Sequence, residues 1–299
     1  MNLLEGMKKN NTVTNTRGSN YYLTTYDSNL DVFTMTSRYN SEEKIINLFN
    51  NALLENEDLA LANLLYILDI RNGKGERRIF KIIFKYLCLN HPACALRILP
   101  FISELGRYDY ILEGLDTPIN DNVVSLIKKQ LELDLEAENP SLLAKWLPSH
   151  RTHGINNEIA KKLMFELKMT EKEYRKLLAK LRSKLNIVEK NLTERTYENI
   201  DFNKVPTKAL LKYNNAYINN MKDKYLNYKE QVKSGSAKIN TEGLFVYEII
   251  NKLLWDNDVD DDLYNLMWQN QKDVLNGCNT NVLVMADTSG SMTTYLSCY

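Results

Sequence analysis

Near its carboxyl end the chain places one carboxylate and two hydroxyls close together, Asp287, Ser289 and Ser291, directly after the apolar run Asn281 to Ala286. Oxygen donors of this kind are hard ligands suited to Mg²⁺ or Mn²⁺. A short apolar run flanked by polar residues reads as a strand buried on both faces of a parallel sheet, and ligands gather at the carboxyl ends of such strands. The competing reading is an ordinary strand-to-turn segment with small polar residues.

A second group of candidates is cationic. Arg175, Lys176, Lys180, Arg182 and Lys184 fall on one or two faces of a single expected helix, with Lys145, Arg151, Lys161 and Lys162 nearby in sequence. Phosphates are contacted by such side chains largely without regard to base sequence. The alternative is that Arg175 and Arg182 pair with glutamates inside a helical stack.

Other spacings suggest chemistry less strongly. Cys88, His91 and Cys94 are spaced like metal ligands, as are His150 and His153, but structural zinc needs four donors of compatible geometry. Pro92 and its apolar neighbours point instead to buried cysteines at a helix junction. Asn72-Gly73-Lys74-Gly75 is glycine-containing and basic, yet a phosphate-binding loop of the Walker type follows a strand and carries a Lys-Ser/Thr pair, both missing here. No Ser-His-Asp or Cys-His arrangement has motif support, and three histidines leave few carriers for acid–base chemistry. The expectation is a non-enzymatic binding scaffold without a small-molecule substrate.

Composition fits this. At 299 residues, with 44% hydrophobic and 25% charged residues, the chain matches a folded protein and not a disordered or fibrous one. It has no apolar run long enough to span a bilayer and no export signal, and four cysteines are too few for a secreted disulfide framework. A cytoplasmic location is expected, with no membrane partner. Formal charge is zero overall but unevenly placed: 15 basic and 19 acidic side chains in 1–141, 21 and 10 in 142–238, and 2 and 9 in 239–299. The basic middle could face an anionic polymer or dock on acidic neighbours.

The elements that must position these groups are mostly helices. Residues 1–40 read as a flexible polar arm that docks through Tyr21, Tyr22 and Phe33. From Ser41 the apolar spacing turns helical, with a helical hairpin at about 58–89 turning at the Asn72 to Gly75 segment. Pro92 suits a first helical turn, Asn139-Pro140 reads as an N-cap and first-turn proline, and Thr170 with Glu173 forms a capping box. Further helices are expected at about 119–136, 155–168, 171–185, 207–233, 242–254 and 259–275. Stacked helical hairpins, an α-solenoid, follow as the expected architecture of 41–278, with 279–299 beginning a second domain.

The segment VLVMADTSGSM, Val282 to Met292, resembles the opening of a von Willebrand factor A-type domain with its metal-ion-dependent adhesion site. That resemblance implies that Asp287, Ser289 and Ser291 are the first three metal-site residues. It also implies that the loops supplying a further threonine and aspartate would follow, so 279–299 is the start of a truncated α/β domain and any metal held by this set alone would be weak. A fragment, a frameshifted frame and a split protein are all open as causes.

Four ordered landmarks extend the likeness: Asp69 to Phe80, Ala144 to Ser149, Glu173 to Glu189 and Val205 to Leu210. Together they resemble an uncharacterised family of phages, bacteria, fungi and plants that joins a helical region to a C-terminal A-type domain, over about residues 57–292. The helical part is more distantly similar to the TROVE module of the Ro ribonucleoprotein autoantigen. This resemblance implies a mainly α, TROVE-like helical-repeat fold, binding of structured RNA or a ribonucleoprotein through 142–238, and Mg²⁺ or Mn²⁺ only in the full-length protein. A protein-interaction scaffold without a nucleic-acid role is the alternative.

Overall fold

Apolar residues at helical spacing, punctuated by short polar side chains that cap helix starts, make this a mainly helical protein. The computed structural model describes residues 12–14, 18, 20–151, 153–185, 187–241, 243–255 and 261–271. Asp287, Ser289, Ser291 and the strand expected before them lie outside the described residues. The chain forms two compact units, Met1–Leu185 and Asn186–Tyr299, so the stretch assigned from the sequence to one domain, 41–278, divides after Leu185.

In the first unit a short antiparallel ribbon joins β1 (Thr12–Thr14) to β2 (Asn20–Tyr22), with Thr12 opposite Tyr22. Helix α1 (Ser28–Met35) follows and corrects the picture of a loose arm over 1–40. Asp27 caps its start by accepting from the Leu30 amide. The Asp31 carboxylate accepts from the Thr25 amide and hydroxyl, both at 2.7 Å, and from the Thr24 hydroxyl. Burial raises the Asp31 pKa, but these donors outweigh it and leave the carboxyl below its usual value. Val32 is fully buried, and Asn29 donates to the Ala52 carbonyl and is met by the Asn63 amide. The Phe33 ring lies 5.5 Å from that of Tyr66 but remains 39% exposed, and Tyr22 is exposed.

Helices α2 (Glu42–Glu55) and α3 (Glu57–Leu68) start at Ser41 and Asn56, whose side chains accept from the Lys44 and Leu59 amides. They bury Ile45, Phe49, Leu61 and Leu64 against helix α4 (Arg77–Asn90), which contributes Ile79, Phe80, Ile83, Phe84 and Leu87. The glycine-containing connection is a tight helix stop. A Cβ on Gly73 would sit 2.0 Å from the Tyr66 carbonyl oxygen, and Gly75 has φ +58°, so only glycine fits both places without strain. Pro92 opens α5 (Pro92–Ile98), and α6 (Ile102–Leu105) ends at Gly106. Cys88 and Cys94 are buried free thiols; burial pushes the Cys88 thiol up to about 12.

Helix α7 (Asn120–Glu136) corrects the reading of Asn139-Pro140 as a helix start. The next helix, α8 (Leu143–Trp146), begins four residues after Asn139 because buried Asp134 captures Ser141 instead, accepting from its amide at 2.9 Å and its hydroxyl at 2.7 Å. Then come α9 (Ile155–Glu166) and α10 (Glu171–Lys184). One continuous apolar core runs from Val32 to Leu181.

The second unit starts with α11 (Val188–Glu194), stopped by Arg195 in the left-handed conformation. Helix α12 (Thr207–Lys233) has the bounds that apolar spacing predicts, with a kink at Met221 (φ −151°, ψ 42°). Its core gathers Phe202, Tyr217, Tyr225 and Tyr228, the tyrosine rings 5.0–5.3 Å from that of Phe202. Helices α13 (Val246–Trp255) and α14 (Asp261–Gln269) complete its described part. Among the described residues no helix is long and apolar enough to cross a membrane.

Candidate nucleic-acid interface

Helix α10 is the centre of the basic candidates. Its start is fixed by a capping box: the Thr170 hydroxyl accepts from the Glu173 amide, and the Glu173 carboxylate accepts from the Thr170 amide at 2.8 Å. The Thr170 amide and hydroxyl, both donating to that carboxylate, hold the Glu173 carboxyl below its usual range. Tyr174, Leu178 and Leu181 are buried and turn the helix so that 172, 175, 176 and 180 look outward.

The basic residues of α10 therefore divide. Arg182 is an internal clamp: Nε donates to the Ala144 carbonyl (2.8 Å), Nη2 to the Leu147 carbonyl (2.7 Å) and Nη1 to the Ser149 hydroxyl (2.7 Å). Burial pulls its guanidinium below the ordinary value, opposed by the Tyr174 phenol beside it. Lys184 donates to the Leu135 and Ala137 carbonyls, both at 2.9 Å, closing the carboxyl end of α7. These two candidates are turned inward, onto carbonyls and not onto the glutamates that sequence spacing suggested. Arg175, Lys176 and Lys180 are exposed and make no ion pair with a described residue, and the structure adds Lys172 beside them. Lys172, Lys176 and Lys180 repeat every fourth residue, so they form one stripe with Arg175 at its side. Glu171 and Glu173 are the acids nearest this stripe in sequence; the Glu171 carboxylate meets Arg151 and His150, and that of Glu173 faces the capping box.

The remaining candidates have varied roles. Arg151 is exposed, with Nε 2.8 Å from the Glu171 carboxylate, and His150 Nδ1 approaches the same oxygen at 3.1 Å. Lys145 Nζ lies 5.6 Å from the Trp146 ring, whose face is covered by the Arg107 guanidinium at 3.7 Å. On α9, Lys161 is exposed without an ion pair to a described residue, and Lys162 pairs with Asp116. Both line a surface pocket of about 360 Å³ together with Leu115, Asp116, Asn120 and Phe165. Phe165 is 82% exposed, although it is one turn from both lysines. Its signal in the sequence is an aromatic three and four residues after paired lysines, on the side of α9 opposite the buried Ala160, Leu163 and Met164.

A larger groove of about 630 Å³ lies along α4, where Arg77, Arg78, Lys81 and Lys85 share one side. Three of those cations are engaged: Arg78 donates to the Arg38 and Asn40 carbonyls, Lys81 pairs with Glu113 at 2.7 Å, and Lys85 donates to the Glu113 carbonyl. The cysteine and histidine spacings build no metal site, since no group of three or more His, Cys, Asp or Glu suited to a metal occurs among the described residues.

A family model described as Domain of unknown function (DUF2828) matches residues 121–284, more than half of the chain. The chain belongs to this family. The match starts in α7, so it takes in α9 and α10 and three of the four sequence landmarks, while Asp69 to Phe80 lies before it. The chain is also similar to "Uncharacterized protein L728" of Acanthamoeba polyphaga mimivirus, 29% identical over 317 residues, covering 92% of this chain and 55% of that protein. The chain thus spans about half the length of that relative. No solved structure matches.

Proposed function

We propose that this family member is a non-enzymatic scaffold that binds RNA, or the RNA of a ribonucleoprotein, through the outer side of α10 and the exposed side of α9. One observation carries this reading: Lys172, Arg175, Lys176 and Lys180 form an exposed cationic stripe without an acidic partner among the described residues. Side chains so placed can reach phosphates and displace counterions. Lys161 extends the cationic surface, whereas Arg151 is paired with Glu171 and Arg182 and Lys184 hold the helix in place.

The reading is tested by mobility shift of a structured RNA over a salt series. The shift should weaken steeply with salt, and charge reversal of Lys176 and Lys180 should flatten that dependence. Absence of retardation at low salt with micromolar protein overturns it.

A specific observation favours the protein-scaffold reading for the second unit. There the acidic segment already meets basic residues of 142–238, Lys208 with Glu248 at 3.0 Å and Lys233 with Asp262 at 3.4 Å. We accordingly assign the RNA contact to α9 and α10 alone. For the whole protein, the sequence likeness to an A-type domain adds a proposed Mg²⁺ or Mn²⁺ site beginning with Asp287, Ser289 and Ser291. The distant TROVE likeness supports a helical-repeat, solenoid-like arrangement, and the few cysteines together with the lack of an apolar bilayer-spanning run support a cytoplasmic role.

A further inference from the structure

We infer that the pocket on α9 seats an unpaired base against Phe165, so that the nucleic acid taken up by this face is single-stranded where it crosses the first unit. This inference rests on the RNA reading above and names the form of RNA that the site accepts.

A phenylalanine ring left 82% in water is an unfavourable exposure of apolar surface for the free protein. It lines the same pocket as Lys161, Lys162, Glu166 and buried Leu115. Within a duplex the bases are stacked on one another and their faces are inaccessible, so an aromatic platform of this kind serves only a base that has left the stack. The cations one turn away are within reach of the backbone that carries such a base.

The pocket also holds groups that could meet a base edge. The Asn120 side-chain oxygen accepts from the Asp116 amide at 3.2 Å, and its amide group has only long contacts, 3.3 Å to Asp121 and 3.4 Å to Glu166. Those donors can be redirected to a base without breaking a short hydrogen bond. The Asp116 carboxylate is held by Lys162, the Glu166 carboxylate also lines the pocket, and Lys161 is the cation without an ion pair to a described residue that is left for a phosphate. At about 360 Å³ the volume falls at the lower end of small-ligand pockets, in keeping with one base and not an extended stack.

The test is fluorescence anisotropy on the full chain with a labelled polyuridine strand, free or annealed to its complement. The single strand is expected to bind more tightly than the duplex. Phe165→Ala should weaken single-strand binding about tenfold and leave duplex binding unchanged, while Phe165→Trp should retain it. Because the ring is exposed, an unchanged circular dichroism spectrum and melting temperature are expected for both variants. Equal binding of strand and duplex, or full single-strand affinity in Phe165→Ala, overturns the base-stacking inference and leaves the phosphate contacts of α10 standing. Failure of wild-type protein to bind either form overturns both.

Discussion

The basic middle of this chain is used differently in its two units. In the second unit several of its lysines face inward or meet acids: Lys224 donates to the Glu198 and Ile200 carbonyls, Lys208 pairs with Glu248, and Lys233 with Glu230 and Asp262, while Lys222 and Lys238 are exposed without an ion pair to a described residue. In the first unit α10 separates the two uses by face, Arg182 and Lys184 on carbonyls inside and Lys172, Arg175, Lys176 and Lys180 in solvent outside. A surplus of positive charge in a sequence therefore overstates the surface available to an anion. Only the cations whose helix face is unpartnered count toward it.

The comparison breaks most readily at Arg182. Arg182→Ala removes three charge-assisted hydrogen bonds and leaves the Ala144 and Leu147 carbonyls short of a donor, so a loss of about 3 kcal/mol is expected in urea denaturation. A change below about 0.5 kcal/mol would mean that the clamp is not structural. Reversing two outer charges, Lys176→Glu with Lys180→Glu, is expected to do the opposite. Stability should hold within about 0.5 kcal/mol, while RNA binding weakens and its slope against the logarithm of salt falls by about one for each lysine.

Smaller effects sharpen the same contrast. Lys184→Met keeps the aliphatic stem but removes the donor from the end of α7, with an expected cost of about 1–2 kcal/mol in thermal or chemical unfolding. In the second unit the exposed pair of Lys233 with Asp262 is worth less than about 1 kcal/mol, which a double-mutant cycle would measure. The last concerns pH. The Glu173 carboxyl is held below its usual value by the Thr170 amide and hydroxyl, so its contribution to α10 is complete above the ordinary glutamate range and fades as pH falls through the lowered value. Protection of the first-turn amides of α10 against hydrogen exchange should drop in acid in wild-type protein but not in Glu173→Gln.

Local chemistry made much of the fold legible. The Thr170 capping box, the Pro92 start, the Gly73 to Gly75 stop and the bounds of α12 all depend on residues close in sequence, and all are present. The readings that failed depended on partners that spacing does not rank. Residues 1–40 looked like an arm because nothing local shows Asn29 reaching the Ala52 carbonyl, 23 residues away. Asn139-Pro140 looked like a cap because spacing does not show that Asp134, seven residues before Ser141, takes that residue's amide and hydroxyl. Among the candidate site residues, Arg175, Lys176, Lys180 and Lys161 are exposed, and Phe165 went unread because exposure of an aromatic is a property of its surroundings.

By itself the sequence determined the helical class, most helix ends, the membership of an uncharacterised family and the concentration of basic residues near α10. Helix formation and capping are decided within one or two turns of chain, which is why spacing could determine them. The tertiary structure alone decided which cations remain at the surface. The acceptors that claim Arg182 and Lys184 lie between 33 and 49 residues away along the chain, and only packing of α7, α8 and α10 brings them within hydrogen-bond distance.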